Sequence, residues 1–237
     1  QMGVRADLIR ISNGISRINV KLQSIDGTEI NGCGPQISER HVQELLEKLD
    51  ILGDGDVLIL AGSIPGSMPD DMYRRIMERL EGRGVMIAVD ATKDLLVNVL
   101  AYHPFLVKPN NHELGEIFSV ELTTREEVMP YAKKMQEMGA VNVLVSMAGE
   151  GAVLAAGDGS IHDAPAPEGR LINGVGAGDS MVAGFLAGWM EQKDYDHAFA
   201  MGIAAGSASA FSEQVATKEE VEAVYRQVRK RQENEKQ

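Results

Sequence analysis

Polar and apolar residues alternate in the first part of the chain and give way to helical spacing further along. The alternation in residues 17–22 is typical of a strand with one face in water. Asn13-Gly14 and Asp26-Gly27 are dipeptides that favour tight hairpin turns. The pattern therefore predicts three short strands, at Ala6–Ser12, Ser16–Ser24 and Thr28–Asn31. Such a small sheet is marginally stable alone and needs a ligand, a second subunit or further sequence packed against it.

From Ile37 onward, strand-like apolar runs alternate with amphipathic helical segments. The predicted helices are Ser38–Leu52, Pro69–Leu80, Asp94–Ala101 and most of the chain from about Ala177. The predicted strands are Asp56–Ala61, Val85–Asp90, Phe105–Lys108 and Val141–Ser146, with a hairpin-like return at Gly151–Ala156. Thr123 with Glu126, and Thr217 with Glu220, fit capping boxes that open further helices. This alternation predicts an α/β fold whose mostly parallel sheet binds ligands at the carboxyl ends of its strands.

Composition and charge limit the classes of partner. The chain has 237 residues, 44% of them hydrophobic, and a formal net charge of −12, which makes nucleic acid and membrane surfaces poor partners. The single Cys33 cannot form an intrachain disulfide, so we expect a cytoplasmic protein. The most apolar stretches are shorter than the ~18 residues of a membrane span. Gly184 and Gly188 in one of them indicate close helix packing.

The clearest chemical signal is the glycine-rich segment Asn173–Ser180. The apolar run after it places Gly176, Ala177 and Gly178 at a helix N-terminus, where free N–H groups attract anions. An ionised Asp179 there can deprotonate a hydroxyl while the amides hold developing negative charge, which suits phosphoryl transfer. The plainer alternative is that Asp179 caps a helix. A dinucleotide fingerprint needs glycine in place of Asp179, and a P-loop needs a Gly-Lys pair, which the sequence lacks.

A second polar group, Lys108–Glu113, follows a predicted strand. Lys108 offers a point charge for phosphate, and Glu113 offers a hard oxygen for hydrated Mg²⁺. Asn110 offers an adaptable hydrogen bond, and because it lies one helical turn from Glu113 both can face the same cleft. A loop followed by a capped helix is the alternative explanation of this segment.

Three further strand ends carry polar residues or glycines. Ser146–Gly151 offers backbone groups to a nucleotide, although a plain hairpin explains it equally well. Ser63 supplies a hydroxyl, and Asp90 is a candidate second acidic group near Mg²⁺. Together with the two motifs, these residues follow successive strands, which is the arrangement that a cleft for phosphate and metal requires.

With these residues, the sequence resembles the pfkB (ribokinase-like) family of sugar kinases. The family's second signature matches Asn173–Gly184, its Asn-x-x-Glu element matches Asn110–Glu113, and the similarity extends from about Asp7 to Phe211. The resemblance implies a Rossmann-like three-layer α/β/α sandwich with a small β-lid, of a kind that often pairs in homodimers. Residues 6–36 are then the strands of the lid and its connection to the core, and residues 37–237 are the nucleotide-binding kinase core.

The resemblance also implies ATP-dependent phosphorylation of a sugar phosphate, with Mg²⁺ as a second cofactor. Ser16–Leu22, Thr28–Asn31 and Leu60–Pro65 are most similar to the branch that converts fructose 1-phosphate to fructose 1,6-bisphosphate. The branch acting on tagatose 6-phosphate is the near neighbour.

The resemblance assigns a role to each candidate residue. Asp179 is the general base, and the amides of Gly176, Ala177 and Gly178 form the anion hole. Glu113 and Asp90 organise Mg²⁺ through water. Arg17 reaches from the lid to the sugar's existing phosphate, with Ser63 near the substrate. The residues implied to line the ATP site are Lys108, Asn110, Ser146, Gly149 and Gly151.

The sequence departs from the family pattern in two places. The family begins with a long segment that carries a glycine-rich sugar-binding element and an early Asp, and this sequence has neither. We therefore expect a fragment that is a weak kinase alone, and a non-catalytic nucleotide-binding module is the alternative function. Ser212–Ala216 lacks the Gly-Thr expected of the family, which leaves the contacts with the adenine edge and a monovalent cation open.

Overall fold

The computed structural model describes residues 3–21 and 29–235, and the chain divides into two compact units. One unit comprises Gln1–Asp56 and Ser63–Val85, and the other comprises Val57–Gly62 and Met86–Gln237. Neither unit is one continuous stretch of sequence, because the short segment Val57–Gly62 belongs with the C-terminal part of the chain.

The first unit holds a two-stranded ribbon and two helices. In the ribbon, β1 (Asn19–Lys21) pairs antiparallel with β2 (Glu29–Asn31). The first helix, α1 (Glu39–Lys48), continues as a 3-10 turn at Leu49–Ile51. The second helix, α2 (Met72–Leu80), buries residues at helical spacing, which is why it forms: Met72, Tyr73, Ile76, Met77 and Leu80.

Two predictions for this unit change. The strand predicted at Ala6–Ser12 is wrong: the segment has no regular structure, and Leu8 is 81% exposed, so no buried face supports a strand there. Pro69 lies before α2 instead of in its first turn, because the helix begins after Asp71. The Asp26-Gly27 turn, and the portions of the two predicted strands within 22–28, lie outside the described residues.

The second unit is built on a six-stranded sheet in which the strands follow one another in chain order. Four strands are parallel: β3 (Val57–Ala61), β4 (Met86–Asp90), β5 (Leu106–Val107) and β6 (Asn142–Ser146). Two antiparallel strands complete it: β7 (Ala152–Ala155) and β8 (Ile161–Ala164). The mostly parallel sheet confirms the predicted α/β class, whereas β8 was not predicted.

The helices of the second unit pack on both faces of this sheet. They are α3 (Asp94–Val97), α4 (Asn111–Phe118), α5 (Arg125–Glu137), α6 (Ala177–Gln192), α7 (Tyr195–Ala210) and α8 (Lys218–Glu235), with 3-10 turns at Leu100–Tyr102 and Ala148–Glu150. Leu144 of β6 joins a core cluster with α6, α7 and α8. Its neighbours Val143 and Val145 point to the opposite face and are fully buried, and α5 packs against the same strand.

The predicted capping boxes and the predicted close packing of these helices are confirmed, except that one capping box lies one residue later than predicted. Thr217 and Glu220 form the predicted capping box, but Thr124 with Glu127 replaces the predicted Thr123 with Glu126. A Cβ added to Gly184 would lie 2.5 Å from the carbonyl oxygen of Met201, which confirms the close packing of α6 on α7. None of the helices in the described part of the chain has the length and hydropathy that crossing a bilayer requires.

Candidate active site

Three parallel strands end at one edge of the sheet, and a polar residue stands at each end. Asp90 is the last residue of β4, Lys108 follows β5, and Ser146 is the last residue of β6. The backbone N–H of Lys108 donates to the carbonyl oxygen of Val89 at 3.2 Å, and that of Ser146 donates to Pro109 at 3.1 Å. The sheet register therefore brings these predicted residues side by side.

Lys108 and Asp90 form a largely buried ion pair. The Lys108 Nζ lies 3.3 Å from Asp90 Oδ1, and the two side chains are only 7% and 19% exposed. Burial raises the pKa of Asp90 above its ordinary value, against the opposing effect of the Lys108 ammonium. The negative charges of Asp179 and Glu113 raise the Asp90 pKa further. Three carboxylates and one lysine thus share one electrostatic environment.

The N-terminus of α6 lies against this lysine. Gly176 precedes the helix with φ 81°, in the left-handed region that glycine adopts without strain. A Cβ added to Gly178 would lie 3.2 Å from the Lys108 Nζ, so a larger residue would displace the ammonium. Asp179 stands in the first turn of α6 and is exposed. Because the helix terminus and the ammonium both attract negative charge, the arrangement can hold a phosphate.

The Ala177 amide, which is one of the predicted anion-hole amides, has a hydrogen bond within the chain. The N–H of Ala177 donates to the carbonyl oxygen of Gly174 at 3.3 Å, and that of Ser180 donates to Gly176 at 2.9 Å. An anion bound by the Ala177 amide would compete with this long bond. The roles of Gly176, Ala177 and Gly178 in holding an anion stay a prediction.

Asn110 and Glu113 form a complete capping box at the start of α4. The Asn110 Oδ1 accepts the Glu113 N–H at 2.8 Å, and the Glu113 Oε2 accepts the Asn110 N–H at 2.8 Å. The capped helix that was the alternative explanation is therefore present. The box does not use Glu113 Oε1 or Asn110 Nδ2, so it does not prevent both residues from contacting a ligand.

The carboxylates of this site suit a hydrated divalent cation. Within residues 3–21 and 29–235, no group of three or more His, Cys, Asp or Glu side chains has metal-binding geometry. Asp90 and Glu113 are hard oxygen donors, and Mg²⁺ characteristically keeps several of its waters in proteins. Binding of Mg²⁺ through water by Asp90 and Glu113 stays a prediction that the donor set permits.

The segment Ser146–Gly151 divides into an open and a packed part. The N–H of Gly151 donates to Ala148 at 3.1 Å, and an added Cβ would lie 2.0 Å from the carbonyl oxygen of Ala164. These contacts give Gly151 a packing role. Gly149 is exposed and faces open space, and Ser146 is half-buried. Among the three residues predicted to contact the nucleotide in this segment, Ser146 and Gly149 are therefore the accessible ones.

Arg17 and Ser63 meet in a cavity of the first unit. The Arg17 Nη1 donates to Ser63 Oγ at 2.6 Å, and the Arg17 Nε donates to Asn19 Oδ1 at 2.9 Å. The cavity has a volume of about 480 Å³, and Asn31 and Cys33 also line it. Asn31 and Cys33 were not predicted from the sequence as site residues. The glycines that flank Cys33 were the available signal.

Comparison with known proteins identifies the family of this chain. Residues 1–222 match the family described as pfkB carbohydrate kinases. The chain belongs to this family. The pfkB family consists of ATP-dependent sugar kinases, which are phosphotransferases that use an alcohol group as acceptor. The site described above, with its ion pair, its helix N-terminus and Asp179, belongs to an enzyme of this class.

Individual pfkB relatives cover most of the chain. A 1-phosphofructokinase from Bacillus subtilis is 46% identical over 216 residues, which are 91% of this chain and 71% of the relative. A D-tagatose-1-phosphate kinase from Bacillus licheniformis is 35% identical over 200 residues, or 84% of this chain and 66% of that protein. The crystal structure of a candidate phosphofructokinase from Staphylococcus aureus has a TM-score of 0.79 and 37% identity, covering 88% of this chain and 68% of that one. This likeness confirms the ribokinase-like α/β fold.

Proposed function

We propose that this protein transfers the γ-phosphoryl group of ATP to fructose 1-phosphate and so forms fructose 1,6-bisphosphate. The observation that carries the proposal is the position of the Lys108 ammonium between Asp90 and the first turn of α6. This group of residues combines an anion-binding device with an exposed carboxylate, Asp179, one residue from Gly178. The identity to a 1-phosphofructokinase supports the choice of sugar phosphate.

In the proposed reaction, Asp179 accepts the proton of the free C6 hydroxyl of the sugar. The oxygen then attacks the γ-phosphorus of ATP, the bond from that phosphorus to the β,γ-bridging oxygen breaks, and ADP leaves. Lys108 and the amides of Gly176, Ala177 and Gly178 stabilise the negative charge on the transferred group. Mg²⁺ held through water by Glu113 and Asp90 would neutralise phosphate charge when it is bound. Asn110, Ser146 and Gly149 are proposed to contact the nucleotide, whereas Gly151 packs against the carbonyl oxygen of Ala164.

The sugar's existing phosphate is proposed to bind Arg17. A guanidinium presents several N–H groups in a plane and matches the geometry of phosphate oxygens. The Arg17 Nη1 bond to Ser63 leaves both residues in one cavity, and that cavity is large enough for a sugar phosphate.

A tagatose phosphate is the second candidate substrate. The B. licheniformis relative is named D-tagatose-1-phosphate kinase, and at 35% identity it supports a ketose phosphate as substrate but favours a different sugar. Tagatose 6-phosphate, the alternative substrate predicted from the sequence, is the other tagatose phosphate to be tested.

We further propose that the ribbon β1–β2 pairs with a second copy of the chain, with residues 6–36 acting as the lid. Val20 and Ile30 lie opposite each other and are 42% and 59% exposed, and Ile18 is 63% exposed. These side chains form an apolar face that pairing would cover. Val20→Asp is expected to reduce the dimer fraction in analytical ultracentrifugation, and an unchanged fraction would refute pairing through this face.

A coupled assay for ADP release tests the proposed reaction. ATP and Mg²⁺ are supplied with fructose 1-phosphate, tagatose 1-phosphate or tagatose 6-phosphate, and the product is identified by ³¹P NMR. Potassium is varied in the same assay to test whether the activity depends on a monovalent cation. Formation of fructose 1,6-bisphosphate at the highest kcat/KM supports the proposal. Binding of ATP without sugar-dependent ADP release would instead support the non-catalytic nucleotide-binding module.

A further inference from the structure

Two buried hydroxyl groups join α6 to α7 directly beside the Asp179 turn. Ser209 of α7 is 2% exposed, and Ser180 of α6 is 9% exposed. The Ser209 hydroxyl donates to Ser180 Oγ at 2.9 Å, and the Ser209 Oγ accepts the backbone N–H of Ala216 at 3.2 Å. Because Ser180 follows Asp179 in the chain, these bonds link the turn of the proposed base to the loop Ser212–Ala216.

Ser209 does not use its hydroxyl as an ordinary helical serine does. Serine within a helix often donates to the carbonyl one turn earlier. Ser212, which follows the end of α7, makes a bond of this kind to Ala208 at 2.9 Å. The Ser209 hydroxyl instead donates to Ser180 on α6 and accepts from the backbone of Ala216 in the loop after α7. A buried hydroxyl group that loses a hydrogen-bond partner lowers the stability of the folded protein. Because the partners of Ser209 lie on α6 and in the loop, this cost holds the loop in one position relative to α6.

A second set of bonds ties the same loop to the glycine-rich segment. The Asn173 Nδ2 donates to the carbonyl oxygen of Glu213 at 3.1 Å, and its Oδ1 accepts the N–H of Val175 at 3.0 Å. Val215 is 69% exposed, and its Cγ2 lies 3.7 Å from the position of a Cβ added to Gly176. The loop Ser212–Ala216 therefore forms a wall beside the N-terminus of α6.

We propose that Ser209 is a positioning residue that holds the loop Ser212–Ala216 against the first turn of α6, so that the wall beside Asp179 is in place before a nucleoside triphosphate binds. The proposal rests on the proposed function in taking the phosphates of the nucleotide to that turn. Ser209 acts through Ala216 and Ser180 and does not touch the ligand.

Hydrogen exchange of the ligand-free protein tests this connection without an activity assay. Ser209→Ala removes the acceptor of the Ala216 N–H, so exchange in residues 212–216 is expected to become about two- to tenfold faster, the range for loss of one hydrogen bond. Ser207→Ala makes the same change on the same helix outside the network, and is expected to leave that exchange unchanged. Equal exchange in the wild type and Ser209→Ala, or equal acceleration by Ser207→Ala, would overturn the proposal.

Affinity for a non-hydrolysable ATP analogue with Mg²⁺ tests the positioning role. Ser209→Ala is expected to bind the analogue about three- to tenfold more weakly. Ser180→Ala breaks the same chain of bonds at its other end, so the double variant is expected to bind no more weakly than Ser209→Ala alone. Additive losses of affinity in the double variant would contradict the proposal that Ser180 and Ser209 belong to one connection. Ser209→Thr keeps the hydroxyl and is expected to restore slow exchange of the loop.

These measurements separate the positioning role from the proposed function. A protein that binds the analogue and exchanges as described, but phosphorylates none of the sugar phosphates, contradicts the proposed function and supports the role of Ser209. An active kinase whose loop exchange and analogue affinity do not respond to Ser209→Ala contradicts the role of Ser209 alone.

Discussion

Removing the charge of Lys108 is expected to weaken both the fold and nucleotide binding. At the 3.3 Å separation of Nζ and Asp90 Oδ1, two unit charges attract by about 5 kcal/mol at an effective dielectric constant of about 20. Desolvation of both groups offsets part of this attraction. Breaking a buried pair by removing one partner costs about 3–5 kcal/mol. Because the Asp90 side chain keeps 19% exposure, we expect Lys108→Met to lower the free energy of unfolding by about 3 kcal/mol.

The same substitution removes the proposed contact with phosphate. A hydrogen bond to a charged group contributes about 1.5–3 kcal/mol, so the dissociation constant of an ATP analogue is expected to rise about 10- to 100-fold. Urea unfolding measures the first effect, and calorimetric titration measures the second. Lys93→Met is the matched control, because Lys93 is 74% exposed and lies 3.8 Å from Glu116 in a surface pair. Effects of Lys108→Met no larger than those of Lys93→Met would refute this reasoning.

The pH dependence of stability provides a second test of the same pair. Asp90 has a raised pKa in the folded protein, chiefly through burial, so its contribution to stability is present below its unfolded pKa and is lost as pH rises through the folded value. Lys108→Met removes the ammonium that lowers this pKa, so the loss is expected to extend to higher pH. Urea unfolding from acid to neutral pH measures it, and Asp90→Asn is expected to abolish this component.

Two further predictions concern other parts of the molecule. Arg17→Ala is expected to raise the KM for fructose 1-phosphate about 10- to 100-fold while the affinity for ATP stays within about twofold, because the lost hydrogen bonds to phosphate are charge-assisted; steady-state kinetics measure both, and equal changes in the two constants would contradict the assignment. Gly184→Ala is expected to lower the unfolding free energy by about 1–3 kcal/mol through overpacking of α6 on α7. Gly53→Ala, with nothing within 4 Å of the added Cβ, is its control in thermal unfolding.

The elements of the sheet unit could be predicted from sequence because local and tertiary preferences agree there. The strand ending at Asp90 combines an apolar run with full burial of Ala88, and Thr217 caps its helix as its spacing with Glu220 indicates. The failure at Ala6–Ser12 has the opposite cause. Its apolar side chains suit a strand, but most of its residues are exposed, and no strand within residues 3–21 and 29–235 pairs with it.

The composition of the candidate site was predictable, but its internal geometry was not. Asp90 and Lys108 were each predicted at the end of a strand, yet their ion pair depends on the register of β4 against β5, which sequence spacing does not encode. Ser209 gave no sequence signal at all, because its partner Ser180 lies on a different helix. Long-range contacts of this kind arise only when α6 and α7 pack.

The effect of Asp179→Asn on phosphoryl transfer shows whether Asp179 acts as the general base. Gly176, and not Asp179, is the N-cap of α6. A purely structural role for Asp179 is then limited to the favourable charge at the helix N-terminus, about 0.3–1 kcal/mol, and its loss in asparagine would leave the turnover unchanged. A general base contributes about 10²–10⁴ to the rate. The account predicts that Asp179→Asn binds the ATP analogue with wild-type affinity while kcat for the sugar phosphate falls by that factor. Turnover at the wild-type rate would contradict it.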